Sequence, residues 1–102
     1  IGSVPADLQK PDGAAVASEF LATSVSSGGT GGARHPDEQE ALANNANMTL
    51  INNQRGYHLF TATRNELTAE VKVIDQVDRP GGHMATLATF AVDPRQAGVR
   101  SD

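Results

Sequence analysis

Apolar and polar positions alternate most cleanly near the middle of this chain, where Leu67, Ala69, Val71 and Val73 interleave with Glu66, Thr68, Glu70 and Lys72. A period of two with one apolar side predicts a strand with one face on a core and the other in solvent. Tyr57–Thr63 alternates as its partner, with Tyr57, Leu59 and Thr61 opposite His58, Phe60 and Ala62. Arg64–Asn65 supplies a tight turn between the two, Asn65 being suited to left-handed geometry. Downstream, Asp78–Arg79–Pro80–Gly81–Gly82 makes the next turn and Met84–Val92 a last strand. Val16–Ser26 predicts a further strand. Apolar residues on both of its sides near Phe20–Ala22 place it in the interior, covered twice. It runs into Ser26–Gly32, which has four glycines and no side chain able to pack. Pro36–Asn47 is the helix candidate: Pro36 suits a first turn, Asp37, Glu38 and Glu40 complement the dipole, and the Asn44, Asn45 and Asn47 cluster ends it. Residues 1–15, with Pro5, Pro11 and Asp12–Gly13, read as an extended lead-in with a short turn near Ala6–Lys10. Residues 93–102 read as a polar, frayed tail. The pattern is α+β, mainly antiparallel strands with one short helix, in one unit spanning 1–102.

Composition narrows the picture. Leu, Ile, Val and Phe together number 21 of 102 residues, and 15 alanines supply much of the remaining apolar count while burying little area. That share sits near the roughly 20% below which chains fail to form a core, leaving open whether the chain folds alone or on a partner surface. The net charge of −4 and the scatter of eight Lys and Arg argue against nucleic-acid binding. No apolar run approaches the roughly 20 residues that span a bilayer. Ile1–Gly2–Ser3 shows neither the basic nor the apolar part of a leader, and a start without Met is what proteolytic processing would leave. Zero cysteines exclude disulfides and thiolate metal sites.

Candidate chemistry gathers at strand ends. Ser24, Ser26 and Ser27, with the backbone N–H groups of the loop they open, are donors of the kind that meet a phosphate; the plainer alternative is a connecting loop with no ligand. No Gly-x-x-x-x-Gly-Lys pattern is present, which excludes a Walker-type loop. Arg55 lies between Asn52–Asn53–Gln54 and Gly56, at a strand entrance. Its guanidinium is expected to pair with a scaffold carboxylate or, on the sharper reading, to contact a substrate phosphate. His35, His58 and His83 stand 23 and 25 residues apart, matching no compact metal motif. No metal ligand and no catalytic residue is therefore expected on this chain, and Glu66, Glu70 and Lys72 read as a solvated face.

Four blocks in order, EFLATSVSSGG, NNQRGYHLF, TAEVKVIDQV and TLATFAVDPRQAGV, resemble the C-terminal part of the PhoD-like family over roughly Val16–Val99. That family contains secreted alkaline phosphatases, phosphodiesterases and certain bacterial phospholipases D. The resemblance implies a metallophosphoesterase with a four-layer αββα sandwich and a cluster of iron and calcium, or similar hard ions, acting on phosphate esters or phospholipids. Its metal ligands end in a Gly-Asp-x-His-like motif that lies, in the family pattern, just upstream of Ile1; Asp7 and Asp12 do not show that motif. The resemblance thus implies a secreted enzyme whose larger N-terminal fragment holds the metals, while this chain completes the sheet and pocket rim. Two alternatives remain open: a noncatalytic β-rich binding module, and a segment that covers an active site until removed.

Overall fold

The computed structural model describes residues 1–32 and 37–102. Its largest element is a four-stranded antiparallel sheet in the order β3-β4-β5-β6, made by β3 (Gly56–Ala62), β4 (Leu67–Ile74), β5 (Met84–Asp93) and β6 (Gln96–Ser101). A two-stranded sheet pairs β1 (Gly2–Pro5) with β2 (Ala15–Glu19), and α1 spans Glu38–Asn44. The chain is α+β, as its hydrophobic pattern implies.

The alternation in β4 translates directly into burial. Ala69, Val71 and Val73 are buried, and Phe90 of β5 joins them opposite Ala69. Ile1, Phe20, Leu50, Ala88 and Val99 pack against this cluster from the second layer and the sheet's own flank. On the reverse face Glu70 pairs with Lys72 at 2.9 Å, and the Lys72 ammonium also donates to the Thr86 hydroxyl. A bulge in β5 opposite Val71 and Lys72 shifts the register by one residue, which raises the local twist.

Several sequence-based expectations are corrected. The interior strand predicted over Val16–Ser26 forms a strand over Ala15–Glu19, where its one strand partner among the described residues is β1. It lies in an outer layer, so Leu21 is 76% exposed rather than covered on both sides. The lead-in over residues 1–15 contains β1, which the pattern missed because Gly-Ser-Val-Pro carries one large apolar side chain. Backbone bonds hold it instead: Ser3 N–H donates to Asn47 C=O at 2.8 Å, and Gly2 bridges Met48. The short turn expected after it forms, with Lys10 N–H on Asp7 C=O.

The frayed tail is likewise strand β6. Asp93 makes the turn by accepting from the Arg95 N–H and guanidinium, and Arg100 pairs with Glu66 across the sheet. Val99 N–H donates to the Ser3 hydroxyl at 2.9 Å, locking β6 to β1. Asn65 is not left-handed, since among the described residues no non-glycine residue has positive φ. The Thr63 hydroxyl instead accepts from both Asn65 and Glu66 N–H to hold that turn. The helix is shorter than Pro36–Asn47; Asn45 ends it by donating from Nδ2 to Ala41 C=O at 2.7 Å. Pro36 and His35 lie outside the described residues.

Candidate functional site

The sequence-predicted site residues fall on one surface, where the stretch after β2 folds against the entrance of β3. Phe20 anchors the start of that stretch. Its ring meets Phe60 edge-on at 5.3 Å and His58 at 6.2 Å between centroids. Burial against these rings pushes the His58 imidazole below its ordinary pKa, because the charged form loses more solvation than the neutral one. Thr23 Oγ1 then donates to Gln54 C=O at 2.6 Å, tying the stretch to the residues that lead into β3.

Beyond Thr23 the chain turns tightly. Ser24 Oγ donates to Ser27 C=O at 2.6 Å, closing a small loop that leaves Ser26 and Ser27 exposed. Gly28 and Gly29 follow in the left-handed region, where side-chain-bearing residues are strained. Arg55 lies beneath this loop. It is buried at 9% exposure, its Nε donates to Gly29 C=O at 2.8 Å, and its Nη2 donates to Gly28 C=O at 3.0 Å. Its Nη1 reaches Asn53 C=O at 3.3 Å. The entrance is shaped by Asn52, whose Oδ1 accepts from Gln54 N–H at 2.9 Å. Gly31 closes the far end with positive φ, in a place where a Cβ would collide with the Asn53 carbonyl.

This geometry corrects the expectation for Arg55. Its guanidinium bonds run to three backbone carbonyls, in place of a scaffold carboxylate. Carbonyls suit the fork because two successive left-handed glycines turn adjacent C=O groups to the same side, matching its parallel N–H vectors. Arg55 is a positioning residue for the loop. Ser24 likewise shapes the loop through its donated bond, whereas Ser26 and Ser27 are exposed. Thr23 and the glycine carbonyls are the partners that sequence reasoning missed. The available signal was a lone arginine beside a polar run and a glycine-rich loop far away in sequence, which calls for acceptors from the loop's own backbone.

Beside the loop, a cleft of about 220 Å³ opens along the start of β3, bounded by Leu21, Thr23, Leu50, Gln54, Tyr57 and Lys72. Its walls are mostly apolar. Among the described residues, no three His, Cys, Asp or Glu side chains converge as a metal site. His83 sits instead beside Asp75, 3.5 Å away on the exposed β4–β5 connection. The described residues do not fit the iron and calcium that the family resemblance implies. What the surface can offer chemically is hydroxyl and N–H donors on a loop held in one conformation.

Comparison with known proteins fits this arrangement. The family model described as PhoD-like phosphatase matches residues 1–71, reaching back through β1. Alkaline phosphatase D of Bacillus subtilis (strain 168) is 32% identical over 92% of this chain, which spans 16% of that protein's length. A solved structure of PhoD superposes with a TM-score of 0.87 and 29% identity, covering 98% of this chain and 19% of that one. The chain therefore spans less than a fifth of the relatives it matches, and it belongs to the PhoD-like phosphatase family.

Proposed function

We propose that this chain is the C-terminal part of a secreted, metal-dependent phosphoesterase that hydrolyses phosphate esters, with phosphomonoesters, phosphodiesters and phospholipid head groups as the substrate classes to be tried. The observation that carries the reading is the near-complete superposition of this chain on one fifth of a PhoD structure. A larger N-terminal portion would hold iron and calcium, or similar hard ions, which supply a bound hydroxide and charge stabilisation to phosphoester hydrolysis. This chain's contribution is then positional. Arg55 and Ser24 fix the loop, and the loop directs the Ser26 and Ser27 hydroxyls and its free N–H groups toward the pocket rim, where they bind phosphate oxygens.

The test is to express this chain joined to the upstream portion of its gene and to assay a chromogenic phosphodiester and monoester. Hydrolysis that disappears on removal of residues 1–102, or on chelation, supports the proposal. Undiminished turnover by the upstream portion alone removes this chain from the active site. No turnover by the joined protein, together with a cooperative melt of the isolated chain, favours the noncatalytic binding module.

A further inference from the structure

The strand β3 ends the four-stranded sheet, and its outer side has no strand partner among the described residues. Ile74 N–H donates to Arg55 C=O and Thr63 N–H to Glu66 C=O. In an antiparallel ladder the bonding residues alternate, so Tyr57, Leu59 and Thr61 face β4 while His58, Phe60 and Ala62 present N–H and C=O to the open edge. Such edges are normally blunted by lysine, proline, a bulge or a charge pointing inward. The sequence Gly56–Ala62, GYHLFTA, has none of these. It is apolar on both faces: Tyr57 and Leu59 are 47% and 45% exposed on one, and Phe60 is 45% exposed on the other. A strand apolar on both sides suits the inside of a sheet, and at an edge it is an aggregation hazard.

We infer that the outer edge of β3 takes a further strand, an apolar extended segment from the upstream portion of the same polypeptide. The chain spans 16–19% of its relatives, so most of a PhoD-like protein remains to supply that segment. The inference rests on the proposed reading of the chain as one part of a longer phosphoesterase, and it goes further by naming the edge, its amides and the kind of segment they meet. The two cheeks of the strand bracket the docking line, with Leu59 opposite Glu70 on the reverse face and Phe60 opposite Ala69 on the core face.

The experiment is residue-resolved amide hydrogen exchange on this chain joined to its upstream portion, with phosphoesterase activity assayed on the same sample. Tyr57, Leu59 and Thr61 serve as internal references, because β4 protects them in either case. The expected result is that His58, Phe60 and Ala62 exchange within about tenfold of those references. Alternation, with the three outward amides exchanging at least about a hundredfold faster, overturns the inference even if the sample is active. Protection without activity upholds the inference while removing the proposed reaction. Protection that vanishes on dilution assigns the edge to a second copy and also overturns it.

Discussion

Arg55 joins two segments far apart in sequence through one planar group, so its replacement separates positioning from ligand binding. Lysine keeps the charge but lacks the planar fork whose parallel N–H groups meet adjacent carbonyls. We expect Arg55→Lys to lower stability by about 1–3 kcal/mol, the cost of leaving a partly buried acceptor without its donor, as read by chemical denaturation of the joined protein. A variant that retained stability and raised only KM would identify the guanidinium as a phosphate ligand instead. Gly31→Ala tests the same clasp from the loop side. Its positive φ and the Asn53 carbonyl both oppose a Cβ, and a loss of about 1–3 kcal/mol is expected from the strained backbone. Two titrations belong at this scale. Asp93 is held at about 2, first by the Arg95 side chain and then by the Arg95 N–H. A carboxylate with a lowered folded pKa stabilises above its unfolded value and loses that contribution as pH falls through the folded one. NMR should therefore show Asp93 ionised, and the β5–β6 turn intact, well below pH 3.9. His58 runs the other way. Its folded pKa is lowered by burial, so the unfolded chain binds more protons below about pH 6.5 and stability falls on acidification through that range. His58→Phe should flatten that part of the stability profile.

Among the elements, β4 was the most legible: Leu67, Ala69, Val71 and Val73 alternate against polar neighbours, and all but the half-buried Leu67 are buried. β3 and β5 were legible for the same reason. β6 was not, because Gln-Ala-Gly-Val-Arg-Ser offers Val99 as its single large apolar residue. What holds β6 is the local Asp93–Arg95 turn together with the Arg100–Glu66 pair and the Ser3 hydroxyl, the last two being relations between distant residues. The strand expected over Val16–Ser26 failed in the opposite sense beyond Glu19. Phe20 packs on the core, but Leu21 and Val25 face a surface that the described chain leaves open, so periodicity alone placed them inside. At the loop, Ser24, Ser26 and Ser27 were identified as candidates, but the direction of the glycine carbonyls that receive Arg55 has no sequence signature. The element-level prediction concerns the hinge of the core. Phe90 is among the few buried large side chains and lies across from Ala69. Phe90→Ala should cost about 3–5 kcal/mol, read as a lowered denaturation midpoint of the joined protein, whereas Leu8→Ala at an exposed position should leave the midpoint in place.

The whole molecule is a slab, 43 × 35 × 19 Å, with a Cα radius of gyration of 14.7 Å. A compact domain of this length has a radius of about 13 Å, so the chain is flatter than a self-contained unit. Thickness of 19 Å leaves room for two layers, and only one side of the large sheet is covered. The other side carries Tyr57, Leu59 and Met84 in the open, with the Glu70–Lys72 pair between them. Among the described residues, no large side chain is fully buried. Burying a large aliphatic contributes about 1.5–3 kcal/mol, while ordering each residue costs about 1.5 kcal/mol; a core built on Val71, Val73 and Phe90 is therefore marginal. Two consequences follow for the chain in isolation: a broad, low thermal transition by circular dichroism, and binding of a hydrophobic dye such as ANS at neutral pH. Joined to the upstream portion, the same residues should melt in one sharp transition and lose most of the dye signal, because the edge and the open face are then covered. An isolated chain that melted sharply and bound no dye would show that this slab needs no covering, and the further strand on β3 would have to be abandoned.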